Sequence, residues 1–319
     1  PATCWYSGIP IKHIMKRPDF FIVGAPKCGT TALSEYLREH HEVFMSDPKE
    51  PHYFSTDFSE HRYTKSETGY HDLFKKVNSG HLAIGEASVF YLYSSVAIKN
   101  VWEYNPNAKL IVMLRNPVDM FHSLHSQMLF IFYEDEKNAE VAWSLQTTRQ
   151  KGYRIPKNCR EPAFLQYKSV CSLGVQVERL LKIFPKQQIK FVLFDEFITD
   201  TPRIYSEALQ FLGVSTDNRT EFLPIKQNST HRFALINRII TTSLPRRLYD
   251  IGWQIRNFMG LEQVKPIQKI KELNSLKIKR QPLSPHFRQQ LHEEFDKDID
   301  YLAALIDRDL SKWKQNKMK

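Results

Sequence analysis

Cysteine is scarce: Cys4, Cys28, Cys159 and Cys171 are the only four in 319 residues, too scattered for a disulfide framework and at no zinc-type spacing. Free thiols, a reducing compartment and a cytoplasmic location are the expectation. No Cys/His or carboxylate constellation calls for a metal. No run approaches the roughly 20 apolar residues of a membrane span, and residues 1–18 lack the continuous apolar core of a signal peptide. They read as an N-terminal extension, with no membrane partner. Two Asn-x-Thr sequons, at Asn218 and Asn228, are what chance supplies in a chain this long. There is no internal repeat. The missing initiator Met reads as a trimmed chain or as one domain of a larger parent chain.

What is present is enough for one sizeable core. With 42% hydrophobic and 13% aromatic residues, residues 19–319 are expected to form a single domain. The charge is lopsided: 45 Lys+Arg against 35 Asp+Glu give +10, which favours a polyanionic partner. Nucleic acid is one such class. The densest basic stretch, Lys265–Arg280, lacks the interleaved aromatics of single-strand binders, so it reads as a solvated helix face or a wall beside an anionic ligand, not a nucleic-acid surface.

The most informative stretch is Asp19–Val43, DFFIVGAPKCGTTALSEYLREHHEV. Phe20–Val23 reads as a buried parallel strand, Gly24–Gly29 as a tight loop, and Thr30 onward as a helix with Leu33 and Leu37 on one face. Loop N–H groups and a helix N-terminus would then converge on an anion. A Walker A loop needs GxxxxGK[ST]; GAPKCGTT has both glycines but places Thr30 where the lysine belongs. The reading as a P-loop kinase or NTPase therefore lacks its helix-start lysine. The charge sits inside the loop, at Lys27.

Pro26, Lys27, Cys28, Gly29, Thr30 and Thr31 match PKxGTT, and here the chain resembles the sulfotransferases that use 3′-phosphoadenosine 5′-phosphosulfate (PAPS). The resemblance runs from Asp19 to Trp313 and is nearest to bacterial soluble enzymes, with likeness also to the glycan sulfotransferase domain. It implies a P-loop-like three-layer α/β fold, a central parallel sheet flanked by helices. The strands are expected near 20–23, 82–85, 110–114 and 190–194, with the six loop residues holding the donor's 5′-phosphosulfate. KLIVML (109–114) followed by RNPVDMFHSLHSQ resembles the family's 3′-phosphate motif, carried here by Arg115 and Ser123. A guanidinium offers a planar fork for phosphate, and Pro117 suits a helix start. Two separated anion sites select PAPS over nucleoside triphosphates, which need no 3′ site.

Lys49–Phe54 (KEPHYF) resembles an active-site segment of the glycan enzymes, and the aromatics Tyr53, Phe54 and Phe58 are pocket candidates. Loops 48–70, 128–162 and 225–233 are expected as lid or acceptor loops, with a helix within 128–162 and with Asn228, Ser229 and Arg232 as donor contacts in the last. A helix is expected over 96–103, and one long amphipathic helix over 164–184. Glu86 follows the 82–85 strand, and in open parallel sheets ligands bind beyond the carboxyl ends of strands. GEASVFYLY resembles the segment carrying the family's catalytic glutamate, although Ala87 stands where many relatives have lysine. Leu173 likewise replaces an aromatic. The resemblance implies in-line transfer of a sulfuryl group from PAPS to a hydroxyl or amine, releasing adenosine 3′,5′-bisphosphate. Lys27 would stabilise the bridging oxygen and Glu86 would act as base, with His52 as the alternative base or as the residue that orients Glu86. A small-molecule acceptor is the first expectation and a glycan the second.

Overall fold

A computed structural model describes residues 17–223, 225, 229–231, 275–277 and 280–315. Five parallel strands form the central sheet: β1 (Phe20–Gly24), β2 (Val43–Met45), β3 (Ala83–Ala87), β4 (Lys109–Leu114) and β5 (Ile189–Leu193), in the order β2-β3-β1-β4-β5. β1 is buried at all five positions, as its unbroken apolar run requires of a strand covered on both faces. The chain crosses from β3 on one side of β1 to β4 on the other. The carboxyl ends of these three strands therefore meet where an open α/β sheet binds ligands. Gly85 lies opposite Phe20, and a Cβ there would fall 2.2 Å from the Phe20 ring. Backbone and ring thus pack directly, and only glycine fits.

The expected strands are all present. β2 was not anticipated, because three residues are too short a run to stand out from the neighbouring turn sequence; pairing with β3 defines it. The helices against the sheet include α1 (Thr30–Arg38), α2 (Glu67–His71), α3 (Ala97–Tyr104) and α4 (Pro117–Phe130). The interval expected as acceptor loops at 128–162 holds α5 (Ala139–Ser144) and α6 (Gln146–Gln150). It is pinned by an internal ion pair: Glu134 accepts both Arg149 Nη1 and Nη2 at 2.6 Å, with both side chains fully buried.

The single helix expected over 164–184 is broken. The structure has a 3-10 turn at Pro162–Leu165, then α7 (Tyr167–Cys171) and α8 (Leu173–Leu181), separated by Ser172 at φ −77°, ψ 87°. Distant partners stabilise the break. Asp298 Oδ2 accepts the Gly174 N–H at 3.0 Å, and the Gln176 amide donates to the carbonyls of Ser169 and Val170 at 2.9 and 3.0 Å. The backbone groups freed from the helix ladder are thereby satisfied. Asp298 lies on α11 (Pro285–Ile306), which follows α9 (Phe194–Thr199) and α10 (Thr201–Leu212) and precedes α12 (Ser311–Lys314). Residues 1–16 of the N-terminal extension, and Asn228 and Arg232, lie outside the described residues; Ser229 opens β6 (Ser229–His231), antiparallel to β7 (Ser275–Lys277).

Candidate functional site

β1 delivers the chain into the loop, and Gly29 turns it into α1. Gly29 is the N-cap with φ +88°, a left-handed conformation, and a Cβ would meet the Phe194 ring at 3.1 Å. Glycine is needed on both counts. α1 has no acidic residue in its first turn and no side-chain cap, so its first N–H groups face the loop with the positive end of the helix dipole. Thr30 is buried and Thr31 half-buried at this end. Cys28 differs from its neighbours. Its Sγ is fully buried, donates to the Pro26 carbonyl at 3.4 Å and lies 3.9 Å from Met120 Sδ, and burial pushes the thiol up to about 12. Only the backbone of Cys28 is available to a ligand.

Lys27 adopts φ +65°, and its Nζ donates to Gln127 Oε1 at 3.0 Å. Its carbonyl accepts Arg115 Nη1 at 3.0 Å, and the Arg115 guanidinium lies 4.5 Å over the Phe194 ring. The loop at 24–29 and the end of β4 are thus fastened to one another. Eight residues on, buried Ser123 accepts Arg280 Nη2 at 3.1 Å. Burial lowers the pKa of Arg280, and the nearby Arg115 charge lowers it further. One guanidinium on the Ser123 hydroxyl, with the like charge of Arg115 near enough to act on it, favours a bound anion. Ser123 and Gln127 stand one turn apart on α4, so one helix touches both the loop lysine and the second cationic cluster. That spacing was readable in the sequence and would have pointed to Gln127. The partnership of Ser123 with a residue 157 positions away was not.

The KEPHYF segment lies across the end of β3. Glu50 N–H donates to the Ala87 carbonyl at 3.0 Å, His52 N–H to Ser88 Oγ at 3.0 Å, and Phe54 N–H to Tyr91 OH at 3.1 Å. Beneath it Glu86 is 0% exposed. Its Oε1 accepts Tyr91 OH at 2.8 Å and Tyr70 OH at 3.0 Å, and its Oε2 accepts Ser88 Oγ at 2.7 Å. Desolvation pushes the Glu86 carboxyl up to about 7, against the three hydroxyls that favour its charged form. The expectation that Glu86 faces the crevice is not met. It lies one residue inside the strand instead of beyond it, on a face closed by two tyrosines.

Glu50 presents the accessible carboxylate. Its side chain is 35% exposed, pairs with Lys49 Nζ at 2.6 Å and lies 3.4 Å from His52 Nε2. Burial acts to raise its pKa, but the Lys49 charge and His52 together hold it well below the usual carboxylate range. Glu50 and His52 both have positive φ, 64° and 51°, an uncommon conformation for non-glycine residues that the three N–H contacts maintain. His52 itself is 2% exposed, its ring turned to Glu50 and tilted against His61 at 4.5 Å between ring centres. It meets the Glu86 network through its backbone N–H on Ser88 and through an edge contact of its ring with Tyr91 at 6.1 Å, not by a hydrogen bond to Glu86. Glu50 stands in KEPHYF and Ser88 and Tyr91 in GEASVFYLY, so the motifs contain them, but neither pattern marks them out; Tyr70 lies outside both.

Residues 17–300 match the sulfotransferase domain family model. Human carbohydrate sulfotransferase 15 is 28% identical, aligned over 64% of this chain and 45% of its own. Human heparan sulfate glucosamine 3-O-sulfotransferase 3B1 is 26% identical over 78% of this chain and 58% of its own. The chain spans about half the length of these relatives. Among solved structures, a sulfotransferase from Alicyclobacillus acidocaldarius superposes with TM-score 0.68 at 29% identity, covering 94% of this chain and 100% of that one.

Proposed function

The chain belongs to the sulfotransferase domain family, and on that premise we propose that it moves a sulfuryl group from PAPS to an acceptor hydroxyl. The observation that carries the donor assignment is the joining of two anion subsites: the loop at 24–31, and the Arg115–Ser123–Arg280 cluster tied to it through the Lys27 carbonyl. A nucleoside triphosphate needs only the first. Thermal-shift and calorimetric comparison of adenosine 3′,5′-bisphosphate, AMP and ATP tests this. The bisphosphate should bind tightest, Arg115→Ala should erase its advantage over AMP, and equal binding of all three would refute the assignment.

PAPS supplies the sulfuryl group and a phosphate leaving group. As the acceptor oxygen bonds to sulfur, the bond from sulfur to the phosphate oxygen breaks. Lys27 and the N–H groups of Gly29, Thr30 and Thr31 are arranged to stabilise the charge that gathers on that oxygen. The acceptor's proton goes to Glu50, because a base must touch the proton it takes and Glu50 has exposed surface where Glu86 has none. Its depressed pKa keeps it ionised through the neutral range. His52 then positions Glu50, and Glu86 holds the turn that carries both.

A small-molecule acceptor is the first reading. The glycan reading is favoured by the names of the human relatives. Mass spectrometry of products from a panel of phenols, simple alcohols and oligosaccharides with PAPS separates the two. No helix among the described residues is long and apolar enough to cross a membrane, and cytoplasmic action on a soluble acceptor is part of the proposal.

A further inference from the structure

We propose that His122 is a positioning residue for the donor's distal phosphate, acting through the chain segment that carries Arg280; this rests on the reading of Arg115, Ser123 and Arg280 as the 3′-phosphate site. Arg280 reaches Ser123 from a segment far away in sequence, so its guanidinium is useful only if that backbone is fixed. One fastening is visible beside it: His122 Nε2 lies 2.9 Å from the Gln281 carbonyl. Since a carbonyl can only accept, Nε2 carries the proton and donates. A second fastening lies beyond it, where Arg288 Nη2 meets Asp119 Oδ1 at 3.0 Å.

Asp119, His122 and Ser123 are three and four residues apart and share one face of α4. Along that face the returning chain is therefore held at three points, with Arg280 at one end. The His122 ring is half-buried, and burial lowers its pKa, with the Arg280 charge adding to the effect. The neutral ring thus acts as a single N–H donor beside a cation. Without it Gln281, an exposed residue, has no side chain of α4 to hold it. Arg280 would then sample positions away from Ser123, and part of the affinity for the distal phosphate would go into reordering it.

The test is calorimetry with adenosine 3′,5′-bisphosphate and with AMP, which shares the 5′ end and lacks the 3′-phosphate. His122→Ala should weaken bisphosphate binding about 3–10-fold, the scale of one net hydrogen bond, and leave AMP unchanged. His122→Gln, which retains an N–H donor, should restore much of the loss. In an Arg280→Ala background His122→Ala should add nothing, because the two act as one unit. Equal weakening of both ligands, or a full effect that persists without Arg280, would make His122 merely structural and overturn the inference. An unchanged bisphosphate affinity overturns it too. If Arg280→Ala and Arg115→Ala both leave the preference over AMP intact, the 3′-site reading itself fails, which is a different result from failure of His122 alone.

Discussion

The turn at residues 49–52 and the end of β3 beneath it each carry a glutamate, and nearly everything about the two is opposite. Glu50 is partly exposed, paired with an ammonium and held in a strained backbone; Glu86 is sealed, is held by three hydroxyls and sits in regular strand geometry. Burial alone does not make a carboxylate catalytic. A cation beside Glu50 lowers its pKa while desolvation raises that of Glu86. The three N–H bonds from 50, 52 and 54 onto 87, 88 and 91 make the second region the foundation of the first. On the proposed reading, the turn at 49–52 meets the acceptor and the end of β3 holds that turn in place.

The largest expected effect attacks this division directly. Glu50→Gln should lower turnover by about 10²–10⁴, the range for loss of a general base, with donor affinity kept. Glu86→Gln retains shape and hydrogen-bonding capacity and should cost far less. Steady-state rates with a hydroxyl acceptor at saturating PAPS decide it, and a silent Glu50→Gln beside an inactive Glu86→Gln would reverse the roles. His52→Ala should reduce turnover less than Glu50→Gln, because it removes a support.

Next in size, Lys27→Ala should cost about 10²–10³ in turnover with a smaller loss of donor binding, as expected of one preorganised charge acting on the leaving oxygen. Near-normal turnover at saturating PAPS would place that charge elsewhere. Gln127→Ala, which removes the Gln127 contact of the Lys27 ammonium, should shift the same parameter by less.

A second buried glutamate sharpens the contrast as a matter of stability. Glu134 has what Glu86 lacks: a bidentate Arg149, with Tyr167 OH at 2.7 Å and the backbone N–H groups of Asp135 and Glu136 at 2.9 Å. Arg149→Ala would leave a buried charge unpaired and should cost about 3–5 kcal/mol in denaturant unfolding. A loss under about 1 kcal/mol would show that solvent reaches the site.

The smallest effect is in pH dependence. The folded pKa of Glu86 lies above its ordinary 4.5, at about 7, so the native state binds its proton more tightly. Its contribution is fully present below about 4.5 and is lost as pH rises toward 7. Glu50 and Glu134 have lowered folded values, so theirs is present above the ordinary range and is lost as pH falls below it. Glu86→Gln should therefore gain stability relative to wild type between about pH 4.5 and 7, read as melting temperature across a pH series. A constant offset would mean that Glu86 keeps an ordinary pKa.

The sequence by itself determined the parallel strands, the loop with its displaced lysine, and the placing of Arg115 at a strand end with Ser123 eight residues on in the following helix. Each is written in a few neighbouring residues, because apolar period, glycine conformation and helix spacing act over short range. Only the tertiary structure decided which carboxylate has surface, since the covers of Glu86 come from α2 and from the chain beyond β3. It also brought Arg280 onto Ser123 and used Asp298 to break the helix expected at 164–184. Exposure and partnership arise between groups that meet only after the chain folds, and a local pattern holds no record of who will be opposite.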